Sequence, residues 1–250
     1  MSVPARAAAL LIAVAAVIGL GIFVAVYYIG SASSLPTVHF AAANGVVNVV
    51  LQEDPQNDSA SKPDWVSYYV QDPDSKQWVH TTFFSIPAGT KVNVTIFGYD
   101  GCTPLRNNFF SQVQGTEGGT VTLSQFNSKG KESLTNDTTS VINSWSDCNV
   151  GHTFAIPSLG LYVPVASPDA DDSANNLCSS SPCTPTFTDD AGKTEHNPYA
   201  LETFSFNAPS HAGVFRWQCF VPCGGGYLDG NSGPMQNFGY MMGNMDVVTS

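Results

Sequence analysis

From Lys91 to Ile96 the chain reads Lys-Val-Asn-Val-Thr-Ile, apolar residues alternating strictly with polar ones. That is the period of a half-buried β-strand. The preceding Ile86-Pro87-Ala88-Gly89-Thr90 reads as a turn. Comparable short strands are predicted at residues 45–52, 66–70, 78–84, 120–123, 201–206, 214–219 and 245–248. Between them lie many of the chain's 22 Gly and 16 Pro, and after residue 29 no stretch keeps a long helical period. No internal repeat is visible. Many short strands punctuated in this way predict an all-β fold, a sandwich or a barrel.

The pattern at the N-terminus is different. Residues 7–29 carry no charge and consist of Ala, Leu, Ile, Val, Gly, Phe and two Tyr. At the helical rise such a run is long enough for a bilayer core of ~30 Å. It predicts one N-terminal transmembrane helix: an anchor at 1–30, a Ser-rich linker at 31–36 and a folded domain at 37–250. Arg6 precedes the run and the next basic residue is Lys62. Positive-inside asymmetry then places the protein in the cell membrane as a single-pass chain, N-terminus cytoplasmic and C-terminal domain extracytoplasmic. All six Cys fall on that outer side, where disulfides are the default. Cys102 with Cys148 and Cys178 with Cys183 are the simplest pairs, which leaves Cys219 and Cys223.

Charge narrows the partners. Nine Lys and Arg against twenty Asp and Glu give a net charge of -11. An acidic surface without basic clusters repels phosphate backbones, so nucleic acid is excluded as a partner. Residues 166–198 form a polar insertion rich in Asp, Ser, Asn, Pro and Thr. Its carboxylates, Asp169, Asp171, Asp172, Asp189 and Asp190, lack calcium-loop spacing. The insertion reads as a solvated excursion closed by one local disulfide, with a docking or metal loop as the other reading. Glycan sequons stand at Asn57, Asn93 and Asn136. No Gly-x-Ser-x-Gly, phosphate-binding loop or His-Glu-x-x-His is present to anchor hydrolase or nucleotide chemistry.

Two segments carry donor atoms. One is Gly151-His152-Thr153-Phe154-Ala155-Ile156-Pro157-Ser158-Leu159-Gly160-Leu161; the other is Phe215-Arg216-Trp217-Gln218-Cys219-Phe220-Val221-Pro222-Cys223-Gly224-Gly225-Gly226. In the second, Phe215, Trp217 and Cys219 share one strand face, and Met235, Met241, Met242 and Met245 follow. Imidazole, thiolate and thioether are the ligands that soft copper selects. The bland reading is also open: a buried His bonded to backbone, Met as core filler, and a Cys219–Cys223 disulfide.

The stretch from His152 to Leu161 resembles the His-bearing strand and turn of the extracytoplasmic domain of cytochrome c oxidase subunit II, a cupredoxin. Gln218-Cys219-x-x-x-Cys223-Gly224 is similar to that family's dinuclear copper loop, and 86–90 resembles the turn before a cupredoxin core strand. The resemblance implies a cupredoxin-like Greek-key β-sandwich that binds copper and passes single electrons to a redox protein partner or to oxidase subunits. It implies His152, Cys219, Cys223 and the Val221 carbonyl as ligands. The family's second His is absent, for Tyr227 stands in its place, and Gly230 stands where the Met is expected, which leaves Met235, Met241 or Met242 to supply the thioether. No His follows His211, so a second imidazole would come from His39, His80 or His211. Three outcomes remain open: an altered dinuclear site, a mononuclear site around His152, Cys219 and a Met, or a copper-free scaffold serving as a structural or docking subunit.

Overall fold

The computed structural model describes residues 3–24, 35–55, 65–102, 105, 107–128, 134–146, 149–168, 178, 180–222 and 233–249. The chain divides into two compact units, Met1–Leu35 and Pro36–Ser250.

The first unit contains helix α1, Val3–Val24. Among the described residues no helix is long and apolar enough to cross a membrane. This overturns the transmembrane helix, and with it the single-pass membrane localisation. The physical reason lies in the helix bounds. Among the described residues α1 runs Val3–Val24 and holds Arg6 near its start, so its uninterrupted uncharged part there begins at Ala7. At 1.5 Å per residue that part is ~27 Å long, short of a ~30 Å hydrocarbon core.

The second unit is all-β. In chain order its strands among the described residues are β1 (Thr37–His39), β2 (Val46–Asp54), β3 (Ser67–Gln71), β4 (Trp78–Val79), β5 (Phe83–Pro87), β6 (Lys91–Gly98), β7 (Val121–Ser128) and β8 (Leu134–Ile142). They continue with β9 (Val150–Ile156), β10 (Leu161–Ala166), β11 (Thr186–Thr188), β12 (Thr194–His196), β13 (Tyr199–Asn207), β14 (Gly213–Gln218) and β15 (Met242–Val248). One sheet has the order β1-β5-β15-β14-β9-β10, the other β4-β3-β2-β6-β13-β7-β8, and β11-β12 form a small separate hairpin. Each large sheet mixes parallel with antiparallel pairing: β5 runs parallel to β15 in the first, β2 parallel to β6 in the second. Parallel neighbours need crossover connections, so the chain passes repeatedly between sheets.

The sheets face each other across one apolar core. Phe154 of β9 meets Phe204 of β13 with ring centroids 6.1 Å apart, and Trp217 of β14 meets Tyr68 of β3 edge-on at 5.1 Å. The alternation read from the sequence is realised in β6, whose burial alternates without a break as Val92, Val94 and Ile96 turn inward.

Several boundaries differ from the sequence reading. The strand expected at 78–84 is two strands, β4 and β5, broken at the buried pair Thr81 and Thr82. Thr82 supplies the cause: its hydroxyl donates to the Met242 carbonyl at 2.6 Å and accepts from Gly239 N–H at 2.8 Å, tying this corner to β15. β5 runs on to Pro87, into the expected turn. β8 was not predicted, because Leu-Thr-Asn-Asp-Thr-Thr-Ser-Val-Ile is mostly polar; it forms by pairing with β7. The 166–198 insertion contains the Cys178–Cys183 disulfide, as expected, and both sulfurs are buried beside Tyr99. Asp189 caps the β11–β12 turn, accepting from the N–H groups of Ala191 at 3.0 Å and Lys193 at 2.8 Å. Asp169, Asp171, Asp172 and Cys148 lie outside the described residues.

Candidate metal centre

Four inward-facing rows carry residues with donor atoms. On β14 the row Phe215, Trp217 continues one step to Cys219, just past the strand. On β9 the row of Val150, Phe154 and Ile156 contains His152. On β2 the buried row Val47, Val49, Leu51 continues to Glu53. On β6 the row Val92, Val94, Ile96, Gly98 continues to Asp100, two residues beyond Gly98. The registers align them, with Gln218 opposite Ala155 and Glu53 opposite Gly98.

His152 is fully buried, and both ring nitrogens are engaged. Nδ1 stands 3.8 Å from Cys219 Sγ, although the two residues are 67 positions apart. Nε2 hydrogen-bonds Asp100 Oδ2 at 3.0 Å. Glu53 Oε1 lies 3.0 Å from the same nitrogen but is not aligned as its hydrogen-bond partner. A carboxylate on Nε2 holds the ring proton there and turns the Nδ1 lone pair toward sulfur.

Both carboxylates are themselves oriented. Glu53 Oε2 accepts from the backbone N–H groups of Tyr99 at 3.3 Å and Asp100 at 3.2 Å, while Asp100 Oδ1 accepts from Gly101 N–H at 2.8 Å. Burial pushes the Glu53 carboxyl above the usual carboxylate range, an effect that His152 partly opposes. The close approach of this segment to β9 depends on Gly151. A Cβ there would lie 3.0 Å from the Gly101 carbonyl oxygen and 3.5 Å from that of Asp100.

The sulfur of Cys219 is equally enclosed. It accepts from Thr153 N–H at 3.4 Å and lies 3.5 Å from the Val221 carbonyl oxygen. Cys219 N–H donates to the Met241 carbonyl at 2.9 Å, and Met241 N–H to the Pro234 carbonyl at 3.1 Å. The buried turn that carries Met235 is thereby joined to Cys219 through two backbone hydrogen bonds.

Of the residues named from sequence, His152, Cys219 and Val221 come together, and Met235 sits buried on the adjoining turn. Cys223, Tyr227 and Gly230 lie outside the described residues. Two of the substitute imidazoles are placed elsewhere. His39 bonds Ser85 Oγ at 2.7 Å on β1, with β5, β15 and β14 between it and β9. His211 packs against Phe215 at the start of β14, the end opposite Cys219. His80 lies between Tyr69 and Tyr240, with ring centroids at 5.0 and 5.5 Å. Glu53 and Asp100 escaped the sequence reading, which ended the first strand at residue 52. Their signal was phase, since each extends an apolar row of period two.

Comparison with known proteins finds no matching family model and no matching curated protein. Solved structures of rusticyanin align with the chain. One, described as a copper protein, is 13% identical and covers 84% of this chain and 82% of its own, with a TM-score of 0.29. Rusticyanin from Thiobacillus ferrooxidans is 12% identical with the same coverage and a TM-score of 0.29. A His-to-Met variant of rusticyanin is 14% identical over 87% of this chain and 88% of its own, again at 0.29. Scores this low carry no argument, and the sandwich rests on the sheet order and core packing above.

Proposed function

We propose that the sandwich is a cupredoxin-like copper domain that passes single electrons to or from a protein partner. His152 and Cys219 are its fixed ligands, and Cys223, the Val221 carbonyl and Met235 complete an altered dinuclear or a mononuclear site. The observation that carries this reading is the 3.8 Å approach of His152 Nδ1 to Cys219 Sγ inside a closed sandwich. Nitrogen and sulfur donors at ~2.0–2.1 and ~2.3 Å from one ion, about 120° apart, stand roughly 3.8 Å from each other. The donors present therefore fit a soft metal, and imidazole with thiolate favours copper.

Copper supplies a one-electron couple when bound; the rest is the work of this chain. Asp100 keeps the His152 ring from rotating, Thr153 N–H offers a hydrogen bond to a thiolate, and the buried aromatic core excludes water. Such rigidity suits a site that changes charge without changing shape. The finer likeness to oxidase subunit II rests on the sequence of the His152–Leu161 stretch, the Cys219-x-x-x-Cys223 spacing and the 86–90 turn. With a net charge of -11, a basic redox partner is favoured, and its association rate falls as salt rises.

The test loads the full chain with Cu(II), desalts it, and measures copper content with visible and electron paramagnetic resonance spectra beside Cys219→Ser. One or two retained coppers with intense thiolate-to-copper absorption, abolished by the substitution, are expected. A colourless protein without stoichiometric copper, and with Cys219 and Cys223 joined as a disulfide, would overturn the proposal in favour of a copper-free docking scaffold.

A further inference from the structure

His152 has a second edge, where the copper reading uses Asp100 and leaves Glu53 without a role. Three donor atoms converge there: Nε2 of His152, Oε1 of Glu53 and Oδ2 of Asp100, all within 4.8 Å of one another. Each oxygen stands 3.0 Å from the nitrogen. The side chains of His152 and Glu53 are 1% exposed, that of Asp100 14%.

The arrangement is over-supplied with acceptors. One ring nitrogen offers a single proton to two carboxylates, and Asp100 takes it. Glu53 Oε1 is buried and has no hydrogen bond. A buried carboxylate oxygen that stands beside an imidazole nitrogen without a hydrogen bond from it is costly. The same carboxylate is nevertheless held firmly by its other oxygen, on the backbone N–H groups of Tyr99 and Asp100. Asp100 is fixed in the same manner by Gly101 N–H. Two carboxylates each spend one oxygen on backbone and aim the other at one imidazole nitrogen. Outer hydrogen bonds that orient converging donors are the mark of a metal site.

We propose that Glu53, Asp100 and His152 bind a divalent cation of the zinc class through Oε1, Oδ2 and Nε2. The partly exposed Asp100 gives the ion its way in and leaves room for water as a fourth ligand. The nitrogen and oxygen set suits zinc better than a soft ion. On binding, the ring takes its other tautomer: the proton moves to Nδ1 and the Nε2 lone pair turns to the ion. The charge of the ion then answers both carboxylates, including the oxygen that hydrogen bonding leaves unserved. These donors lie on the opposite edge of the ring from Cys219, so the site shares only His152 with the copper reading and does not depend on it.

The test uses the full chain carrying Cys219→Ser, which removes the thiolate site, stripped of metal and titrated with Zn(II) by calorimetry at pH 7. One equivalent is expected to bind, and adding Glu53→Gln or Asp100→Asn should weaken it at least tenfold while near-ultraviolet circular dichroism stays native. Co(II) in the same protein should show d–d bands without sulfur-to-cobalt charge transfer. Should Cys219→Ser fold poorly, Cys219→Ala takes its place. The proposal is overturned by a natively folded Cys219 variant that binds no stoichiometric Zn(II), or by equal affinity with and without Glu53→Gln. Neither result bears on copper retention by the wild-type chain, which is measured separately.

Discussion

Thr153 holds the Cys219 corner with both of its ends. Its backbone N–H points at Cys219 Sγ at 3.4 Å, and its hydroxyl accepts from the N–H of Phe220, the next residue, at 2.7 Å. β9 thus grips the chain where it leaves β14. Thr153→Val keeps the side-chain shape but removes the acceptor, leaving a partly buried N–H unserved. We expect a loss of about 1–3 kcal/mol in urea unfolding, against a small effect for Thr153→Ser. Equal stabilities for the two variants would show that the Phe220 bond does not matter.

The other corner of the site depends on Thr82. Its hydroxyl serves Met242 and Gly239, and its carbonyl accepts from Trp217 Nε1 and Asn244 N–H, each at 3.1 Å. That carbonyl lies so close to β15 that a Cβ on Gly243 would clash with it. Thr82→Val strands two buried backbone groups and should cost about 2–4 kcal/mol. Gly243→Ala has no room to relax without breaking the β5–β15 pairing, and should leave little native protein at 25 °C. A cooperative melt for Gly243→Ala within a few degrees of wild type would contradict this.

Much of this fold was visible in the sequence, because hydrophobic alternation is a local signal. The row Val92, Val94, Ile96 gave β6, and Phe215, Trp217 and Cys219 were placed correctly on one inward face. What was lost has physical causes. β8 is held by pairing with β7 rather than by an apolar face. The apolar N-terminal run suggested a span, whereas among the described residues no helix is long and apolar enough to cross a membrane. The candidate site was half legible. Soft donors such as His152 and Cys219 are rare enough to stand out, whereas Glu53 looks like an ordinary charged strand end until β6 brings Asp100 beside it.

The polar insertion is fastened to the sandwich at the far side of β2. Gln52 Nε2 donates to the Cys183 carbonyl at 2.9 Å and to Asp54 Oδ1 at 2.7 Å, and Asp54 Oδ2 accepts from Cys183 N–H at 2.9 Å. The Cys178–Cys183 bridge closes a short loop, with a sequence separation of 5. Loop-closure entropy for so small a ring predicts about 2 kcal/mol lost in the double Cys→Ser variant. Gln52→Ala should release the insertion to limited proteolysis while the core strands keep their hydrogen-exchange protection. Unchanged cleavage would mean that other contacts hold it.

Glu202 contributes to the pH dependence of stability. It faces inward on β13 between Ala200 and Phe204, fully buried, with Oε1 accepting from Ala166 N–H at 2.6 Å and Oε2 unserved. Burial pushes its carboxyl from 4.5 up to about 8. Asp54 is likewise driven by burial from 3.8 to about 8. A raised carboxyl pKa means that the folded chain holds a proton the unfolded chain has released. Below about pH 4 both states are protonated and neither group costs anything. From there up to about pH 8 folding must keep those protons, so stability falls as pH rises, by up to about 1.4 kcal/mol per pH unit for each group. Above that value both states are ionised and the slope vanishes. Urea midpoints at pH 5, 6.5 and 8 should therefore decline for the wild-type chain, and Glu202→Gln should remove a large part of the decline while raising stability at pH 8. An identical slope in wild type and Glu202→Gln would show that the carboxyl enters the core ionised, with a partner yet to be found for Oε2.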